Sequence, residues 1–295
     1  MRPVVRLMRW FKKHGRDLPW RHTHDPYRIL VSEVMLQQTQ VSRAIVFYSA
    51  WLTHFSDWKT LAAASNGEVL RQWTGLGYNR RALQLRDAAR FIVQHGVPMH
   101  ESEWRAIKGI GVYTAAAVTA FAMRQPTLPV DTNIRRVGGR LWLKKPFATC
   151  HDDNRIRRAG VRFIDGAKDA CDVPQALFDL ATMHCTKVPE CALCPMRSVC
   201  PMAERFLQQA VRIPKRVTTS AAERIQKGKR YPDRIYRGRI LQLLQKEGAT
   251  SLQKIGTQID PRFSKRDHVW LQEMINRLVK DGMARREKNQ VTFVE

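Results

Sequence analysis

The sequence predicts a mainly α-helical protein that ends in a small α+β module of winged-helix type. Three observations carry this. Apolar residues recur at helical spacing through residues 1–210, with little strict alternation. Composition shifts near residue 211, where RIPKRVTTSAAERIQKGKRYPDR is basic, poor in large apolar groups and broken by Pro and Gly. Beyond it, three helical patterns are followed by two short strand patterns. The expected organisation is a helical domain over 1–210, a basic linker over 211–232 and a winged-helix-like domain over 233–295.

The opening MRPVVRLMRWFKKHGRDLPW is basic and amphipathic, and lacks the apolar core and cleavage site of a signal peptide. No apolar run reaches the ~18–20 residues that span a bilayer. The expected setting is therefore cytoplasmic and nucleoid-associated, with no membrane partner. Three helical stretches follow: RILVSEVMLQQTQVSRAIVFYSAWLTHF, DWKTLAAASNGEVLRQWTGLG and NRRALQLRDAARFIVQHG. Each ends near Gly or a polar cluster. In the last segment, YRGRILQLLQKEG should stop at Gly248. Ser251 should cap SLQKIGTQI, and DHVWLQEMINRLVKDG should stop at Gly282. MARREKNQVTFVE should form two strands around a KNQ turn.

Charge narrows the partner. The 295 residues hold 51 Lys and Arg against 26 Asp and Glu, a formal net charge of +25. The excess runs along the whole chain rather than in one amphipathic segment, which disfavours a membrane surface and favours nucleic acid.

Three motifs suggest chemistry. Four of six cysteines, Cys185, Cys191, Cys194 and Cys200, fall within sixteen residues as C-x5-C-x2-C-x5-C. Cytosolic disulfides are rare, so the crowding points to metal: an iron–sulfur cluster, or Zn2+. Cys150 and Cys171 read as small buried hydrophobes. Next, EWRAIKGIGVYTAAAVTA places Gly109 and Gly111 around one apolar residue between two helical patterns. Ile110 would pin the turn while backbone N–H groups meet a phosphate, or the turn is an ordinary helical hairpin. Lastly, Glu33 in ILVSEVMLQQT is either a buried general acid with a raised pKa or an exposed position on an amphipathic helix. Asp131 in LPVDTNIRRVGGRLW should cap a helix, and could also stabilise an oxocarbenium-like sugar.

The order of these motifs resembles the helix-hairpin-helix DNA glycosylases that carry an iron–sulfur cluster, and most of all the MutY-type adenine glycosylases. LPWR (18–21), DPYRILVSEVMLQQTQV (25–41), WTGLGYNRRALQL (73–85), GIGVYTAAAV (109–118), VDTNIRRV (130–137) and QALFDLATMHCT (175–186) carry the resemblance. It implies a [4Fe–4S] cluster on the four cysteines. Glu33 would protonate the leaving purine, and Asp131 would stabilise the positive sugar with Asn133 holding the loop. Trp20, Arg21 and Gln175 would line the pocket for a flipped base. Tyr78 and Gln38 would wedge into the gap, with Thr39 and Leu76 against the opposite base. Gly109, Gly111, Lys187 and Arg197 would meet the backbone. Relatives that also cut the strand place a Lys where Tyr113 stands. Tyr cannot form a Schiff base, so release of the base without lyase activity is expected.

Two features depart from the family. The first two cysteines are separated by five residues, where the family usually has six. No stretch reads as the Nudix-like C-terminal domain that usually helps recognise 8-oxoguanine; the basic tail would instead contact DNA or a protein. The leading expectation is a monomeric adenine glycosylase acting on duplex DNA at A opposite 8-oxoguanine or G. A glycosylase removing T or U opposite G, and a non-catalytic iron–sulfur DNA-binding protein, are the alternatives.

Overall fold

The computed structural model describes residues 1–165, 167–215 and 225–295. Part of the expected linker, residues 216–224, lies outside the described residues. The chain divides into two units, one of Met1–Glu33 and Pro98–Ser220, the other of Val34–Val97 and Ala221–Glu295.

In chain order the helices are α1 (Pro3–His14), α2 (Pro26–Leu36), α3 (Val41–His54), α4 (Trp58–Ala63), α5 (Asn66–Trp73), α6 (Arg80–His95), α7 (Glu101–Ala106), α8 (Val112–Phe121), α9 (Thr132–Trp142), α10 (Asp153–Ile164), α11 (Val173–Met183), α12 (Ala203–Leu207), α13 (Asp233–Glu247), α14 (Leu252–Ile259) and α15 (His268–Lys280). The strands are β1 (Thr250–Ser251), β2 (Ala284–Glu287) and β3 (Gln290–Phe293).

The core of the first unit is built from the apolar stripes of α1, α9, α10 and α11. Leu7, Ile134, Val137, Ile156, Leu177 and Leu180 are all at most 1% exposed. α10 comes close because Gly160 replaces a side chain at the contact: a Cβ there would sit 2.2 Å from Leu128. α8 is buried from Thr114 to Phe121, and four of its ten residues are Ala. A helix apolar on every side belongs in a core rather than at a surface.

In the second unit, α4 and α5 begin with reciprocal caps, Asp57 with Thr60 and Ser65 with Glu68. Trp51 and Trp73 meet edge to face, their ring centroids 5.4 Å apart. The C-terminal segment follows the expected order. α13 stops at Gly248 (φ 71°), Ser251 accepts from the Lys254 amide, and α15 is followed by Gly282 (φ 68°). β2 and β3 pair antiparallel, with Arg286 opposite Val291, and turn at Lys288. The two-residue β1 adds to β3, giving the order β1-β3-β2. This third strand has no sequence counterpart, because two residues carry no periodicity. Lys229 locks the segment leading into α13. It pairs with Asp260 at 2.7 Å and Asp267 at 2.8 Å, and its ammonium lies 4.3 Å from the Trp270 ring centroid.

Candidate active site

Glu33 lies in the last turns of α2 and is 6% exposed. Tyr27, Ile29, Leu30, Val31, Ser32 and Met35 of the same helix are buried too. The helix is therefore enclosed on most of its sides, and its carboxylate goes in with it. Burial pushes the Glu33 pKa from 4.5 up to about 7. The Tyr113 hydroxyl opposes this by donating to the carboxylate, and the nearby charge of Asp131 reinforces it. Tyr113 stands in the first turn of α8, directly after the glycine turn.

That turn is a tight glycine turn between two helices. α7 ends at Ala106, Gly109 takes φ 94°, Ile110 is 8% exposed and packs inward, and Gly111 caps α8. The left-handed conformation at Gly109 would strain any residue with a Cβ. Gly109 and Gly111 remain exposed.

Asp131 is the N-cap of α9. Its Oδ1 accepts from the amides of Asn133 (2.8 Å) and Ile134 (2.7 Å), and its Oδ2 accepts from Asn133 Nδ2 at 2.8 Å. Burial raises its pKa, while these three bonds and Arg136 pull the other way. Arg136 donates from Nη2 to Asn133 Oδ1 (3.0 Å) and from Nε to the Cys185 carbonyl (2.6 Å). The capping loop and the start of the cysteine loop thus share one guanidinium. Glu33, Tyr113, Asp131 and Asn133, separated by up to a hundred residues, come together.

Trp20 is 5% exposed. Arg21 and Gln175 meet: Arg21 Nε donates to Gln175 Oε1 at 3.0 Å. The rest of the fork goes to Asp179, at 2.8 and 2.9 Å, and to the Arg16 carbonyl at 2.8 Å. Asp179 is fully enclosed, and its carboxyl is held below the usual range by Arg21 and Arg16 against the opposing effect of burial. Arg21→Ala leaves this carboxylate with Arg16 alone. The variant should lose about 3 kcal/mol of stability in a denaturant titration.

In the second unit, Gln38 and Tyr78 are exposed, Thr39 is half-buried and Leu76 points inward at 7% exposure. Gln38 and Tyr78 both adopt left-handed backbone, with φ of 55° and 50°. Non-glycine residues held this way cluster at functional sites. Arg81 fixes the loops beneath them. It donates to the carbonyls of Val34 (2.8 Å) and Gly77 (3.0 Å), and its guanidinium carbon lies 5.5 Å from the Tyr78 ring centroid. No residue-level signal in the sequence marked Arg81 as the buried support.

Cys185, Cys191, Cys194 and Cys200 line one apolar cavity with Val137, Leu180 and Phe206 among its walls. Arg140 donates to Cys185 Sγ at 3.3 Å and to the Thr186 carbonyl at 2.7 Å. Burial raises three of the free thiols, with Cys194 pushed up to about 12. Among the described residues, no three His, Cys, Asp or Glu side chains close on one point as a single metal ion requires. Four soft thiol donors lining one apolar cavity are a donor set that suits an iron–sulfur cluster or zinc. Lys187 and Arg197 are exposed on the same loop; Arg197 pairs with Glu204 at 3.1 Å.

Residues 31–160 match the family described as HhH-GPD superfamily base excision DNA repair protein. The chain is 37% identical over 195 residues to the adenine DNA glycosylase of Mycobacterium tuberculosis, covering 64% of each chain. It is 38% identical over 197 residues to that of Mycolicibacterium smegmatis, covering 65% of this chain and 67% of the relative. Among solved structures, a thermostable thymine-DNA glycosylase superposes with a TM-score of 0.63 at 26% identity, over 68% of this chain and 95% of that one. The chain thus spans just under two thirds of the M. tuberculosis relative's length. Taken with the glycine turn, the two carboxylates and the cysteine loop, these likenesses mean that the chain belongs to the MutY-type adenine DNA glycosylase family of the HhH-GPD superfamily.

Proposed function

We propose that the protein is a monofunctional DNA glycosylase of base excision repair that releases adenine from A opposite 8-oxoguanine or G. The observation that carries this reading is the buried Glu33, half protonated near neutral pH, grouped with Tyr113 and Asp131. Glu33 delivers its proton to N7 of the flipped adenine. The C1′–N9 bond then breaks, its electron pair leaving with the purine. Positive charge develops on the sugar, and ionised Asp131 stabilises it. Water adds at C1′, its surplus proton passes to the now ionised Glu33, and an abasic site is left with the general acid restored. Tyr113 orients Glu33 through its hydroxyl, and Asn133 holds Asp131. Arg21, bound to Asp179, orients Gln175 at the base pocket beside Trp20. Gln38 and Tyr78 fill the gap left by the base, with Thr39 and Leu76 towards the opposite base, and the turn at Gly109–Gly111 takes a backbone phosphate.

Removal of T or U opposite G is the second reading. It is favoured by Tyr113 in place of Lys and by the likeness to the thymine-DNA glycosylase structure. Strand integrity tests the monofunctional claim. A duplex with A opposite 8-oxoguanine should be cut only after alkali; cutting without alkali would establish lyase chemistry and remove this reading.

The four cysteines would hold a [4Fe–4S] cluster. Bound there, it supplies a rigid cross-link for the loop that presents Lys187 and Arg197 to DNA. The purified protein should show broad absorbance near ~400 nm, lost in Cys194→Ala. A colourless protein containing one zinc would contradict the cluster. Residues 233–295 would act as a winged-helix-like domain that adds salt-sensitive DNA affinity.

A further inference from the structure

α13 carries Arg234, Arg237, Gly238 and Leu241 at helical spacing, on the face turned towards the loop that bears Tyr78. Between them lies a cavity of about 440 Å³ within the second unit. One wall holds Gln38, Tyr78 and Arg80; the other holds Arg234, Arg237 and Gly238. Four arginines and one carboxylate, Asp281, line it. That carboxylate lies 3.9 Å from Arg80. Arg234 places its guanidinium 5.3 Å from the Tyr78 ring centroid, and Arg81 places its own at 5.5 Å.

Gly238 is the second observation. It sits inside a fifteen-residue helix, where glycine is unfavourable. A Cβ at this position would meet nothing within 4 Å. The fold therefore gives no reason for the missing side chain, yet Gly238 lines this cavity and the adjoining one. Glycine without an internal neighbour, flanked by arginine, is what close approach of an anionic backbone requires.

We propose that this cavity binds the DNA strand lying opposite the excised base, and that the C-terminal module reads that strand. Arg237 and Arg234 take phosphates flanking the opposite nucleotide. The sugar-phosphate chain passes over Gly238, and Tyr78 is held against the adjoining base by two arginines. The inference rests on the DNA glycosylase reading, with Gln38 and Tyr78 as its intruding residues. It gives the tail a role in recognition at the position where these side chains enter.

The test measures binding of the full chain by fluorescence anisotropy. Three duplexes hold A opposite 8-oxoguanine: one unmodified, one with methylphosphonates flanking 8-oxoguanine, one with methylphosphonates flanking A. Arg237→Ala should weaken binding of the unmodified duplex by about tenfold. Neutral phosphates beside 8-oxoguanine should cost the parent protein a similar factor and Arg237→Ala almost nothing. Neutral phosphates beside A should cost both proteins equally. Gly238→Ala should raise the melting temperature by about 2 °C and yet weaken binding, a split that a purely structural glycine would not produce. Arg237→Lys should restore most of the affinity. The proposal is overturned if Arg237→Ala and Gly238→Ala bind like the parent, as they would if the cavity served an acidic peptide. It is equally overturned if methylphosphonates beside 8-oxoguanine penalise Arg237→Ala as much as the parent. The adenine nucleotide carries a 2′-fluorine, which opposes oxocarbenium formation, so binding is read without cleavage. A chain showing this pattern but releasing no adenine from the unfluorinated duplex would overturn the enzymatic reading alone.

Discussion

Glu33→Gln should bind a mismatched duplex as tightly as the parent and release adenine about 10³-fold more slowly. Gln matches the carboxyl in shape and can still meet the Tyr113 hydroxyl, but it carries no acidic proton. Loss of release with retained binding assigns the proton to Glu33; release within about tenfold of the parent would remove it from the mechanism. The same group sets the alkaline limb of the pH profile. With Glu33 at about 7, activity should fall about tenfold per pH unit above that value. Asp131 must be ionised, so an acid limb should lie above the ordinary carboxylate value of 3.8.

Stability gives an independent readout on Glu33. A carboxyl with a folded pKa above its unfolded value is stabilising when protonated, below about 4.5, and that contribution is lost as pH rises through about 7. The interval corresponds to about 3 kcal/mol, an order-of-magnitude figure for a fully enclosed group. Glu33→Gln should therefore match the parent's stability at pH 4.5 and exceed it at pH 8. Equal stability at both pH values would mean that Glu33 is solvated.

Asp131 allows the cap and the chemistry to be separated. Asn is as good an N-cap as Asp, so Asp131→Asn should keep the α9 cap and lose only the bond from Asn133 Nδ2, at a cost of about 1 kcal/mol. It removes the negative charge beside the sugar, and release should fall about 10²- to 10³-fold. Asp131→Ala removes both functions and should lose about a further 1 kcal/mol in denaturant unfolding. If the Asn variant kept full activity, capping would be the whole role of this residue.

What could be read from the sequence follows the range of the interactions. The glycine turn, the stops at Gly248 and Gly282 and the Ser251 cap depend on a few neighbouring residues, and each forms where local chemistry places it. The cysteine spacing is local too, and the four thiols line one cavity. The sequence leaves two environments open for Glu33 because a helical pattern does not say which faces are covered. Its burial follows from the enclosure of α2 on most sides, for which the run of apolar residues around it was the available cue. Arg21 shows the opposite limit. Its bonds to Gln175 and Asp179 cross more than 150 residues, and no spacing rule reaches that far. The left-handed backbone at Gln38 and Tyr78 is likewise imposed by the surrounding fold, with Arg81 binding the carbonyls beneath.

The released base defines the enzyme. Incubating the protein with four duplexes, holding A opposite 8-oxoguanine, A opposite G, T opposite G and U opposite G, and separating the free bases identifies it. Release of adenine alone, faster opposite 8-oxoguanine or G than opposite T in a matched control, is the predicted result. Release of thymine or uracil in place of adenine would contradict it.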